Sequence, residues 1–198
     1  QQARASSGEE FSIEAHDLLL TVDYRWAGTA QGGYYPIRIQ VENNGNDCEL
    51  TFRFVPFNGQ QLPTVERLNL PIASGAKANF SLSVPMVGRG AMGRLEVERD
   101  GELLDQLTRP LSLSYADHRA IRSSMLIISP NPESITALES GSQLYTKSPR
   151  VRSLLDYLVI EPVMLPNAWP DYSGVDVIMV PLRVLADLES SRRSAILK

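Results

Sequence analysis

The sequence has one cysteine, two histidines and no apolar run long enough to cross a bilayer. Each scarcity excludes something. A lone Cys48 rules out an internal disulfide and any site built from several thiolates. A reactive thiol needs electropositive surroundings, and Cys48 is flanked by Asp47 and Glu49, so it reads as a small strand residue turned inward. The longest apolar runs, Met125–Ile128 and Val177–Leu182, are strand-sized, far short of the roughly 18–20 residues of a transmembrane helix. Charge of one sign is also lacking: 19 basic against 23 acidic residues leave a net charge of −4. Residues 1–117 hold 10 Lys/Arg and 15 Asp/Glu, and residues 118–198 hold 9 and 8. No dense basic stripe exists to neutralise phosphates, so nucleic acid is excluded as a partner.

The two histidines, His16 and His118, each adjoin an aspartate (His16-Asp17, Asp117-His118). Sequence neighbours in a strand point to opposite faces, so neither pair is a catalytic dyad or a metal site. G-x-S-x-G, H-E-x-x-H, a P-loop and an EF-hand loop are all missing. Gly88-Arg89-Gly90-Ala91-Met92-Gly93 spells G-x-G-x-x-G. That fingerprint needs its last glycine to open a helix whose amides hold a pyrophosphate. Here an alternating strand follows, so the glycines belong to a hairpin loop and no cofactor is implied. Asn79-Phe80-Ser81 is a formal glycosylation sequon at chance frequency.

What is present is a globular composition, 43% hydrophobic and 21% charged, long enough for one large or two ordinary domains. From about Phe11 to Tyr115 apolar residues recur with period two: Leu18-Leu20-Val22-Tyr24, Ile37-Ile39-Val41, Leu50-Phe52-Phe54, Phe80-Leu82-Val84, Leu95-Val97 and Leu111-Leu113. Such alternation marks strands with one wet and one buried face. Asn43–Asp47 and Ser74-Gly75 supply reversals, Asn and Gly tolerating the positive φ of tight turns. Asp100-Gly101 is a type I′ hairpin pair. About seven strands at this spacing predict an antiparallel sandwich.

After Ala116 the pattern changes. Met125–Ser129 is a continuous apolar strand of the kind buried on both faces of a parallel sheet. Helical spacing follows over Glu133–Leu144, and Val151–Ile160 mixes a helix end with a short strand. Prolines 162, 166 and 170 punctuate a connection, Val175–Val180 predicts a second buried strand, and a helix opens near Ser190. This alternation predicts an α/β unit. The helix at Ser190–Lys198 has no stop signal, from which we expect the natural chain to continue. The polar, Met-less start at Gln1–Glu10 suits a mature chain after signal removal.

Two resemblances refine this picture. Tyr35-Pro36-Ile37-Arg38-Ile39-Gln40-Val41-Glu42-Asn43-Asn44-Gly45 resembles the P-x-x-V-x-x-x-N-x-G strand and turn of immunoglobulin-like domains in secreted and envelope proteins, without their paired cysteines or strand tryptophan. Leu165–Val177, with Leu185–Leu188 and Ala195–Lys198, resembles class I glutamine amidotransferase-like domains. That resemblance implies a flavodoxin-like fold, and these domains occur in large bacterial envelope proteins, where an immunoglobulin-like domain precedes them. True amidotransferases use a Cys nucleophile, and no Cys follows Cys48.

The expectation is therefore two domains, an all-β immunoglobulin-like sandwich at 11–117 after a tail at 1–10, then a partial α/β flavodoxin-like domain at 118–198. The expected role is a non-catalytic structural or interaction module of an extracytoplasmic bacterial protein (periplasm or cell surface). Its partners would be other domains of the same or a neighbouring envelope protein, with the membrane reached only through further segments. A small-ligand or carbohydrate-binding module, or an enzyme completed by sequence beyond Lys198, are the alternatives. Ligands of open α/β sheets bind beyond the carboxyl ends of strands, which points to Ser129, Asn131 and Arg183. Trp169 and Tyr172 offer a stacking surface, or plug a sheet edge or seam. Asp171, Asp176, Asp187 and Glu189 fall at turns and helix starts, where capping suits them better than paired-carboxylate chemistry.

Overall fold

The computed structural model describes residues 9–26, 33–57, 66–86, 90–114, 123–131 and 155–198. They form a mostly β structure with few helices. The helix expected over 133–144, His118 and the first two residues, 88–89, of the expected glycine-rich reversal at 88–93 lie outside the described residues, as does 151–154.

Among the described residues, nine strands make two antiparallel sheets. β1 (Glu10–Ala15), β2 (Leu18–Asp23), β3 (Gly33–Asn43) and β6 (Lys77–Met86) lie in that order in the first. In the second, β5 (Glu66–Ile72), β4 (Cys48–Pro56) and β7 (Gly90–Arg99) are neighbours. The short β8 (Glu102–Leu103) and β9 (Arg109–Ser114) both pair with β7. The inward set of each alternating run meets between the sheets: Leu20, Ile37 and Leu82 from one side, Leu50, Phe52 and Leu95 from the other, all buried. Phe52 and Phe80 touch edge to face at 4.9 Å across this core.

The turns differ from expectation in an informative way. Asp100 (φ 52°) and Gly101 (φ 89°) do form a two-residue hairpin between paired Arg99 and Glu102. A second such hairpin sits where the sequence offered only a histidine beside an aspartate. His16 (φ 54°) and Asp17 (φ 61°) join paired Ala15 and Leu18. Asn43–Asp47, by contrast, contains no positive φ and is no hairpin, because β3 and β4 belong to different sheets. It is a corner held by a side chain. Buried Asn43 donates from Nδ2 to the carbonyls of Asn46 (2.8 Å), Ala73 (3.3 Å) and Ile72 (3.4 Å), and its Oδ1 accepts the Gly45 N–H. The Gly75 N–H of the β5–β6 corner donates to the Asn43 carbonyl at 2.7 Å, so the two sheet-switching corners brace each other.

The remaining described residues build a three-stranded parallel sheet in the order β11 (Leu155–Ile160), β10 (Ser123–Ile128), β12 (Val177–Met179). β10 is central, with Leu126 and Ile128 buried. Val175–Val180 was expected as a strand buried on both faces. Only Val177–Met179 is a strand, and Val177 and Met179 are 42% and 49% exposed. Among the described residues β12 pairs on one side alone, with β10, which leaves it an edge. Two 3₁₀ turns, Pro162–Met164 and Trp169–Tyr172, each start with proline near the first position, where a missing N–H costs nothing. Helices α1 (Leu182–Asp187) and α2 (Ser190–Ile196) follow β12.

Asp176 sets the start of the sheet. Its carboxylate accepts the Ser124 N–H at 2.7 Å, while the Ser124 hydroxyl donates to the Gly174 carbonyl at 2.8 Å. This is capping of a backbone amide, but of a strand rather than a helix. Glu189 occupies the N-cap of α2 without a side-chain bond, and Asp187 ends α1 instead of starting a helix.

Candidate functional site

Antiparallel register fixes which polar side chains share the outer face of the first sheet. Glu10 lies opposite Asp23, Asp23 opposite Arg38, and Arg38 opposite Ser81. One residue pair along, Ser12, Thr21, Gln40 and Asn79 form a parallel row. Cross-strand neighbours on one face interact, and here they do. The hydroxyls of Ser12 and Thr21 are 2.8 Å apart, Arg38 Nη2 lies 2.8 Å from Asp23 Oδ2, and Arg25 reaches Asp23 (2.9 Å) and Glu10 (2.5 Å).

The centre of this cluster is withdrawn from water. Asp23 and Arg38 are buried, Arg38 at 6% exposure. Burial pushes the Asp23 carboxyl up, but the hydrogen bonds from Arg25 and the charge of Arg38 outweigh it, and its pKa falls below the ordinary 3.8. Burial draws Arg38 below its ordinary value against the pull of Asp23, and the bond to Asp23 raises Arg25. Arg38 also lies over the Trp26 ring at 5.4 Å.

The 162–173 segment covers this face. Tyr172 is buried, meets Trp26 edge to face at 5.9 Å, and donates its hydroxyl to the Pro166 carbonyl at 2.8 Å. Burial, then the neighbouring Asp171, push its phenol well above the ordinary range. The Tyr34 N–H donates to Ser173 Oγ at 3.3 Å, a contact between residues 139 apart in sequence. Gly33 permits the approach, since a Cβ there would stand 2.8 Å from the Gly174 nitrogen and its φ is +109°. Between the segment and the sheet runs a cleft of about 500 Å³, lined by Asp23, Arg38, Gln40, Asn79 and Ser81 on the sheet side and by Val163, Met164, Asn167 and Asp171 opposite.

The residues singled out in the sequence fall in different places. Tyr172 is in the seam and Trp169, in the same turn, is 53% exposed. Ser129 is buried, its hydroxyl donating to the Asn131 carbonyl (3.0 Å) and accepting the Asn131 N–H (3.2 Å). Ser129 and Asn131 follow β10, and Arg183, exposed on α1, follows β12. The cleft residues Asp23, Arg38 and Gln40 were not singled out, and Asn79 only as part of a formal glycosylation sequon. Their signal was the polar half of each alternating strand, which reads as ordinary solvent-facing surface until the register is known. Cys48 is buried and its thiol is raised by burial, as its acidic neighbours suggested.

No protein-family model and no curated protein sequence matches the chain. Among solved structures, a putative β-galactosidase from Bacteroides fragilis aligns over 63% of this chain and 20% of its own, at 10% identity and a TM-score of 0.28. A likeness that shallow carries no argument about fold or activity.

Proposed function

We propose that the chain is a non-catalytic structural and interaction module of a larger extracytoplasmic bacterial protein. In this reading an immunoglobulin-like sandwich carries a flavodoxin-like, glutamine amidotransferase-like unit, and the partners are other domains of the same or a neighbouring envelope protein. The observation that carries it is the seam, where the aromatic and polar groups available for chemistry are spent on holding the parts together. Tyr172 packs on Trp26 and bonds Pro166, Asp23 pairs with Arg38 through Nη2, and Tyr34 is tied to Ser173. The protonated, buried Cys48 is the opposite of an activated nucleophile. The strand order second-first-third, all parallel, is the opening of the flavodoxin-like winding and supports that part of the reading. The extracytoplasmic placement rests on the sequence resemblance alone. The test is the longest natural form of the protein, assayed for glutamine and peptide-amide hydrolysis and located by protease accessibility in spheroplasts. Background turnover and cleavage from outside are expected; turnover above background, or full protection, overturns the proposal.

The same strand order favours a second reading. The winding reverses between β10 and β12, so Ser129, Asn131 and Arg183 flank the place where doubly wound sheets bind ligands. A thermal-shift panel of nucleotides, amino acids and sugars tests it. A rise in Tm that Arg183→Ala removes supports binding there, and flat profiles count against it.

A further inference from the structure

We propose that the cleft between the outer face of the first sheet and the 162–172 segment binds a neutral, polyhydroxylated ligand, a carbohydrate. Three observations point there, and none depends on the role assigned above. The first is a buried donor without an acceptor. Arg38 spends Nη2 on Asp23 and on the Arg25 carbonyl (2.6 Å), while its buried Nε and Nη1 find no acceptor among the described residues. An unsatisfied N–H in a buried charged group is costly, and Arg38 lines the cleft, so a ligand oxygen that reaches its guanidinium by displacing the covering wall relieves that cost.

The second observation is charge balance. The cleft is lined by three carboxylates, Glu10, Asp23 and Asp171, and two guanidiniums, Arg38 and Arg192, and Arg25, outside the lining, pairs with Glu10 and Asp23 and supplies the third positive charge. An added anion or cation finds no uncompensated partner, whereas a neutral ligand keeps the balance. The third is the lining. The floor offers hydroxyls and amides able both to donate and to accept, from Thr21, Gln40, Asn79 and Ser81, and the facing wall adds the exposed apolar side chains of Val163 and Met164. Arg192 fixes that wall by donating to the Leu165 carbonyl at 3.1 Å. Hydroxyl-matching groups on one side and a C–H-matching surface on the other are what a sugar ring requires. A cleft of about 500 Å³ lies within the range of small-molecule sites.

The experiment is an amide-detected NMR titration of the whole chain with maltose, cellobiose and chitobiose, each at millimolar concentration, and with glucuronate as the charged comparison. The side-chain amides of Gln40, Asn79 and Asn167 report directly on the cleft. Saturable shifts of these signals are expected with at least one neutral disaccharide, and weaker ones with glucuronate. Arg38→Lys keeps the charge but loses the fork, so it is expected to weaken binding about ten-fold, consistent with a lost charge-assisted bond. Should that variant not fold, Asn79→Ala on the exposed floor serves alone, with about a five-fold loss expected. No shift with any of the three disaccharides, tighter binding of glucuronate, or binding unchanged in a folded variant would each overturn the proposal.

Discussion

Asn43 is fully buried and closes four hydrogen bonds at a corner where the chain leaves one sheet for the other. Asn43→Ala removes the side-chain partner of the buried Ile72 carbonyl and of the part-buried Gly45 N–H and Asn46 and Ala73 carbonyls, so a loss of about 1–3 kcal/mol is expected in urea unfolding. Asn43→Asp turns an acceptor toward those carbonyls and is expected to cost more. Asp23 and Arg38 make a different kind of bond, one whose worth depends on pH. The Asp23 pKa is depressed in the folded protein, so the unfolded chain takes up the proton first as acid is added. Its contribution is therefore present above the ordinary 3.8 and fades as pH falls through the folded value. Tm measured from neutral pH down through this window is expected to fall less steeply in Asp23→Asn, whose starting stability is lower. Removing only Arg38 leaves a buried carboxylate with half its partners, at about 3–5 kcal/mol, whereas Asp23→Leu with Arg38→Met recovers part of the loss.

At the scale of the strand, the glycine-rich run read as a hairpin loop ends inside β7, and its last member has a packing role. A Cβ on Gly93 would stand 2.5 Å from the Val55 carbonyl and 2.6 Å from the Phe54 ring. Gly93→Ala is thus expected to destabilise by about 1–3 kcal/mol through overpacking, with Gly101→Ala, which meets open space, as the contrasting variant for its positive φ alone. The run of alternating residues made the strands themselves legible, because period two depends only on each strand having a buried face. Which sheet a strand joins was not legible. Asn43–Asp47 and Asp100-Gly101 are both Asn/Asp/Gly turns, yet one changes sheets and the other closes a hairpin, a difference decided by packing tens of residues away. The apolar run at Val177–Val180 hid an edge for a related reason: apolar content tells that a strand suits a sheet, not how many neighbours it has there. The candidate cleft stayed invisible because its floor is assembled from the wet positions of β2, β3 and β6, which only the register brings side by side.

At the scale of the whole molecule, Trp26 is central to the meeting of the parts among the described residues. It is buried, with Tyr172 against its edge and the Arg38 guanidinium over its ring. Trp26→Ala opens a void beneath both, and a loss of about 3–5 kcal/mol is expected. Its larger effect should be on cooperativity. With the aromatic contact gone, the 162–173 segment is held to the sheet by weaker contacts such as Tyr34 to Ser173, so the unfolding transition is expected to separate into two. Fluorescence distinguishes this from simple core damage, because the chain has two tryptophans in opposite environments: Trp26 is shielded and Trp169 is 53% exposed. Acrylamide should quench two classes in the natural chain and one shielded class in Trp169→Phe. If the seam holds the parts together, Tyr172→Ala in the Trp169→Phe background makes Trp26 quenchable while the sheet signal in far-ultraviolet circular dichroism persists. A Trp26 that stays shielded without Tyr172 would place its cover in the sheets themselves, and the seam would then contribute little to the stability of either part.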